Sequence, residues 1–361
     1  MARNHRTTIR STVLAAAGIL ALSIRIAAAE PAAKEQPQGL WVGSENYISE
    51  FQGPALEQSG IPSANLAFRI KDYLLPSSIT FDRHNNLWVT SLGTDRNGLF
   101  PIIEIGRADK ASHESGKLMK GKVIIPGKGF GDTASVSLAF DAAGDLWVVN
   151  VGRQAIMKFR PNQIEKSGAP SPKILITSPV FFPGAIRFDA SDNLWVAAGN
   201  QQLWRFAPGD RAVSGFPNPG LIVDLPDGLV PVDFGFDSSG NLWLAGLAPA
   251  AMGTFVDEIE MISAGDLGGA GEISPSAAVI ITSSAFGVFD SDGTCLGGMD
   301  FDHSGDLWVS VHCDPDTQVV EFTPAQLNTG GNLTPSVIIG QNTTKTNLFF
   351  PGPIRFGPSL K

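Results

Sequence analysis

Three sets of residues carry the chemistry this 361-residue sequence could perform. The first is its two cysteines, Cys295 and Cys313, with His312 beside the second. Gly293-Thr294-Cys295-Leu296-Gly297 has the glycine spacing of a nucleophile elbow, with Cys295 as thiol and His312 close to it. That motif works only on a strand-to-helix turn. In an exported chain, two cysteines facing each other across adjacent strands form a disulfide instead. The second set is acidic: Asp72, Asp132, Asp227 and Asp292, joined by Glu45, Asp95, Asp314 and Asp316. Carboxylates crowded at one mouth focus a negative field and would take a divalent cation such as Ca²⁺ or a basic ligand. Loop aspartates that only make turns are the competing reading. The third set is Arg187, Asp233, Asp300 and Arg355. Their charges alternate, so they are either ligand contacts lining a channel or ion pairs between packed elements.

The elements that must position these residues recur along the chain. FDRHNNLWV begins at Phe81, FDAAGDLWV at Phe140, FDASDNLWV at Phe188, FDSSGNLWL at Phe236 and FDHSGDLWV at Phe301. Self-similarity at this period signals a propeller or solenoid. Each copy reads as a strand, a tight hairpin and a second strand, with the Asp bonding its own turn. The fifth position must accept a left-handed backbone, and it holds Asn85, Gly144, Asp192, Gly240 and Gly305. An apolar third strand, a Pro-containing turn and a fourth strand follow each Trp, completing a four-stranded antiparallel blade. Five full copies leave a ring open, but both chain ends carry fragments of a sixth. Ile354-Arg355-Phe356 repeats Ile186-Arg187-Phe188, and the segment from Gly39 to Phe68 supplies strands two to four. The fold expected is therefore an all-β, six-bladed propeller over 39–361, its last blade shared by the two ends so that no sheet edge stays open. The repeated Trp residues read as interblade packing.

This frame gives the candidate residues places. Asp72, Asp132, Asp227 and Asp292 fall eight or nine residues before inner-strand Phe positions, in loops entering the channel on one face. The loops after the second strand open on that face too and bring Glu45, Asp95, His312, Asp314 and Asp316. Cys295 and Cys313 are symmetric in number about Ser304, the centre of the fifth hairpin. Asp233 in blade four is placed to reach Arg187 in blade three, and Asp300 in blade five to reach Arg355 in blade six. The stretches Leu92 to Phe100 and Leu247 to Phe255 read as the two longer loops of the same face.

FDxxGNLWV followed by an apolar third strand resembles the NHL-repeat propellers and the regucalcin and gluconolactonase family. The resemblance covers nearly all of the chain after its first 38 residues. It implies one divalent cation in the channel, held by a Glu, two Asn and an Asp at the starts of innermost strands, four residues before the repeat Phe. Those places hold Ser77, Val136, Gly184, Val232, Gly297 and Gly352, none of them a carboxylate or amide ligand for a hard cation.

Residues 1–29 read as an export signal: Arg3, Arg6 and Arg10, an apolar run from Thr12 to Ile24, and Ala27-Ala28-Ala29 before Glu30. Residues 30–38 read as a polar linker. The full chain carries a formal charge of −9; cleavage removes four Arg and no acid, leaving 22 basic against 35 acidic residues, or −13. That balance repels nucleic acid and anionic lipid, and no run is long enough for membrane insertion. The function expected is a monomeric, non-catalytic scaffold, periplasmic or extracellular, that binds a protein or small molecule through the channel mouth. The alternative is a lactonase-like hydrolase with a divergent acidic metal site.

Overall fold

The computed structural model describes residues 38–359 except 46, 71–74, 96, 128–129, 178–182, 200, 251–253, 288–292, 314–316, 341–347 and 349–350, together with the Asp227 side chain. These residues form a six-bladed propeller. In each blade four strands run antiparallel from the channel outwards. The closing blade is the one expected: Ile354–Pro358 pairs antiparallel with Gln38–Ser44, which continues through Tyr47–Phe51 to Leu66–Ile70.

The repeat works because one Asp does two jobs. Asp82, Asp141, Asp189, Asp237 and Asp302 each use Oδ1 to accept the backbone N–H four residues on, which closes the hairpin turn. Asn85, Gly144, Asp192, Gly240 and Gly305 take the left-handed conformation in those turns, with φ between 62 and 84°. Each Oδ2 accepts the indole N–H of the Trp six residues later, at 2.8 to 3.3 Å. The indole is thereby fixed, and its ring meets the Phe of the next blade edge-on. The pairs are Trp41–Phe81, Trp88–Phe140, Trp147–Phe188, Trp195–Phe236, Trp243–Phe301 and Trp308–Phe356, with centroids 5.5 to 6.2 Å apart. One buried apolar cluster fills each of the six seams.

A fifth contribution to each blade was not legible in the sequence. The turn between the third and fourth strands reaches back and lies parallel to the outermost strand of the preceding blade. It forms short strands at Leu118–Met119, Gly271–Ile273 and Gly331–Asn332, and single bridges at Gly60, Gly168 and Gly215. Each outer strand, which would otherwise offer unpaired backbone groups to another chain, is capped by its neighbour. One apparent loop is also strand: the fourth blade's hairpin arm extends as Leu242–Pro249 and Phe255–Ile262, paired out to Pro249 and Phe255. Its alternating contacts replace the loop read from Leu247 to Phe255.

The seams differ in charge. Opposite each Trp on the third strand stand Glu50, Glu104, Lys158, Arg205, Met261 and Glu321. Glu104 pairs with Lys122, which lies over Trp88, while Lys158 lies over Trp147 and pairs with Asp145 at 2.6 Å. Lys110 lies over Trp41 and attracts Glu50; burial pulls its ammonium down to about 8. Glu321 has no such cation among the described residues. Burial first, then Asp306 and Asp302, pushes its carboxyl up to about 7.

Two outcomes test this account of the seams. In the closing blade Gly357 occupies the Asp position, and the buried Trp41 indole N–H has no acceptor among the described residues. Trp195→Phe, which breaks a bond to a carboxylate, is expected to cost about 1–3 kcal/mol more than Trp41→Phe in denaturant titration, since the latter removes an unsatisfied donor. Equal costs would remove the Asp–Trp bond from the argument. For Glu321, a folded-state pKa above the unfolded value of 4.5 gives stability that is present below about pH 4.5 and lost as pH rises through about 7. Melting temperature should therefore fall from pH 5 to pH 8, and Glu321→Gln should flatten that fall. Glu321→Lys, copying the second blade, should gain about 1–3 kcal/mol at pH 8.

Candidate functional site

The channel face is shaped by a device repeated at the start of all six innermost strands. There, two residues oppose one residue of the second strand, as in a β-bulge. The register slips between Pro76 and Ser78, between Ser135 and Ser137, between Pro231 and Asp233, and between Leu296 and Met299. In the third blade, Ala197 O accepts from Gly184 N and Ala197 N donates to Ala185 O. In the sixth, Gly43 does the same with Gly352 and Pro353. Bulges re-aim side chains and sit beside functional sites. Here they bring Ser77, Val136, Gly184, Val232, Gly297 and Gly352 into the wall of one cavity of about 380 Å³.

These are the six positions at which the family resemblance places cation ligands. The backbone that would present such ligands is intact, but the side chains are apolar or absent apart from one hydroxyl. Ser77 Oγ lies 2.9 Å from Thr90 Oγ1 and 3.2 Å from Ser135 O. Among the described residues no three His, Cys, Asp or Glu converge as metal donors.

The cavity's charged wall is Arg187 with Asp233. Arg187 Nη2 bonds both carboxylate oxygens at 2.9 and 2.7 Å, and Nε bonds Phe234 O at 3.1 Å. Asp233 also accepts the amides of Phe234 and Met299, so it ties blades three, four and five together. Next in the ring, Arg355 bonds Asp300 at 3.0 Å, and Asp300 accepts Phe356 N–H at 2.6 Å. Burial, then the neighbouring Arg355, disfavours the charge on Arg187. Where blades one to three meet, hydroxyls replace these ions: Ser78 accepts Leu138 N–H and Ser137 accepts Ile186 N–H.

The acidic set is less gathered. Asp132 is held by Arg153 at 2.8 Å, and both are about half exposed. Asp95 closes its own turn onto Asn97 and Leu99. Asp227 lies in the turn Pro226–Gly228. Asp72, Asp292, Asp314 and Asp316 lie outside the described residues.

Cys295 and Cys313 form a disulfide with Cα atoms 5.0 Å apart, and no free cysteine remains. Thiol chemistry is therefore excluded. The bulge shifts the register by one, so His312 rather than Cys313 faces Cys295, donating its N–H to Cys295 O at 2.9 Å. The bridge closes a separation of 18 residues, worth about 3 kcal/mol by loop entropy. Sequence reading missed Asp257, whose carboxylate accepts the Thr294 hydroxyl and the Cys295 amide. Burial raises its pKa and lowers that of His312 nearby. The only signal was the length of the fourth blade's arm, which was read as loop.

No family model matches the chain, and no curated protein matches it. Solved structures do. A Bacteroides caccae protein of unknown function superposes with a TM-score of 0.50 at 12% identity, covering 90% of this chain and all of that one. The extracellular domain of a one-component system of Bacteroides thetaiotaomicron gives 0.47 at 17% identity, covering 86% of this chain and 37% of its own. A Bacteroides uniformis protein described as a 6-phosphogluconolactonase gives 0.49 at 11%, covering 89% and 100%. At 12% identity the likeness to the Bacteroides caccae protein speaks for the fold alone.

The ion pair yields a direct test. Asp233→Ala leaves Arg187 buried without its anion and two amides without acceptors, and should cost about 3–5 kcal/mol in urea titration. Combining it with Arg187→Ala should cost much less than the two single changes added together. Simple additivity would show that the pair does not couple the blades.

Proposed function

We propose that this chain is an exported, non-catalytic binding scaffold whose ligand seats at the channel mouth. The observation that carries the reading is the ring of six bulges: it aims Ser77, Val136, Gly184, Val232, Gly297 and Gly352 into one cavity without supplying a ligand set for a hard cation. A metal-assisted hydrolase needs a cation to polarise the carbonyl and activate water. With three glycines and two valines at those positions, the lactonase reading is not favoured. What the cavity does offer is an apolar wall with one oriented charge pair, the usual make-up of a small-molecule site.

Export is supported by the basic, apolar and small-residue order of the first 29 residues and by the disulfide, which fits an oxidising compartment. No helix among the described residues is long and apolar enough to cross a membrane.

The test is a thermal-shift series with Ca²⁺, Mn²⁺ and Zn²⁺, alongside hydrolysis assays on a panel of sugar and aliphatic lactones. No metal-dependent shift and no turnover is the expected result. Metal-dependent lactone hydrolysis that disappears when Val232→Asp or Gly184→Phe alters the cavity would overturn the scaffold reading in favour of the enzyme.

A further inference from the structure

The channel cavity specifies its ligand more narrowly than a binding scaffold requires; the argument rests on the reading above and deepens it. Arg187 and Asp233 are the charged side chains in the wall, and they are not equally committed. A carboxylate has about four acceptor sites. Asp233 meets four donor contacts: two from Arg187 Nη2, one from Phe234 N and one from Met299 N. It has nothing left for a ligand.

Arg187 has something left. Nε and Nη2 are bonded, whereas Nη1 has no partner among the described residues and is not among the atoms sealed from solvent. Its two N–H groups are the unspent donors of a residue that lines the cavity. A second guanidinium, Arg355, is close enough to repel it, and Arg355 Nε is itself buried without an acceptor. The carboxylates that face these cations are partly spent on backbone amides, Asp233 on two and Asp300 on Phe356. Among the described residues, the Nη1 donors of Arg187 are thus left without an acceptor.

The remaining wall is apolar. Val136, Val232, Ile79, Ile354 and Leu92 line it, with glycines between them. Leu75, Leu92 and Val230 stand exposed near the starts of innermost strands. At about 380 Å³ the cavity is in the size range of small-molecule sites.

We infer that the channel binds a small organic monocarboxylate, its apolar body against the valine and glycine ring and its carboxylate on the free Nη1 edge of Arg187. A monoanion matches the vacancy. A dianion would bring a second charge into an apolar wall beside Asp233, and a cation would meet the Arg187 guanidinium. A carboxylate adds its own charge to the guanidinium's, and its two oxygens suit the planar guanidinium, which makes it the preferred acceptor.

The experiment is isothermal titration calorimetry of the mature protein with octanoate, 4-phenylbutyrate and 2-naphthoate, each paired with its primary amide and its primary amine counterpart. At least one carboxylate should bind about tenfold or more tighter than its amide, with no binding of the amine. Gly184→Phe should abolish that binding while the protein still melts cooperatively. A Cβ at Gly184 meets only Ala197, at 3.7 to 3.8 Å, so the ring projects into the cavity without backbone strain. Arg187→Lys, which keeps the charge but not the fork, should weaken the carboxylate by a larger factor than its amide. If amide and carboxylate bind equally and both fail in Gly184→Phe, the monocarboxylate inference falls and channel binding stands. Binding of carboxylates that survives Gly184→Phe, or no binding by any of the nine probes, overturns the inference, while the scaffold reading is decided separately by the metal and lactone series.

Discussion

The ring stands on one contact made six times: the edge of a Trp indole against the Phe of the next blade. Edge-to-face geometry adds about 0.5–1.5 kcal/mol to the apolar area such rings bury. Its larger consequence is angular. Because Asp fixes the indole and the same cassette supplies the Phe, each blade sets the tilt at which its successor docks. The rule is satisfied all the way round only when Phe356, from the last strand, meets Trp308, and Trp41, from the first, meets Phe81. Closure by the chain ends is thus a requirement of the packing unit, and the parallel bridge from Gly60 to Ile339 fastens the outer rim of the same seam.

That seam is also where the rule bends. A Cβ at Gly357 would lie 2.1 Å from the Phe81 ring, so the closing blade cannot carry the repeat's Asp there. Trp41 keeps its ring contact and loses its acceptor. Lys110, over both Trp41 and Phe81 and bonded to Asn85 O at 2.7 Å, is the substitute anchor. Lys122 over Trp88 and Lys158 over Trp147 do the same for indoles that also have their Asp.

The fold was legible because its determinants are local and repeated. Asp82, Asn85 and Trp88 declare a turn, a left-handed residue and a packing face within a few positions, and four further copies remove ambiguity. The disulfide was legible for the same reason, since Cys295 and Cys313 flank one hairpin, although the bulge displaces their register. The parallel caps at Gly60, Gly168 and Gly215 were not, because each depends on a strand in the preceding blade and carries no side-chain signature. Asp257 was hidden differently. It acts on Thr294 and Cys295 across a blade boundary, 37 and 38 residues away, from an arm whose apolar tip looked like loop. The identity of the six channel positions came from the repeat register, but their convergence needed the bulges, which are backbone events.

The bulges explain how such a ring can keep its shape while its site changes character. Each of these residues sits outside the Trp–Phe cassette, so its side chain can differ from blade to blade while the ring contact stays the same, although at Gly297 a Cβ would meet Ser310 Oγ at 2.5 Å. With Val and Gly at five of these positions, the part-buried Arg187 and Arg355 are met, among the described residues, by Asp233 and Asp300, whose lone pairs are shared with backbone amides. The same six backbone positions therefore build, with small side chains, a pocket in which the described residues leave the Nη1 donors of Arg187 unspent.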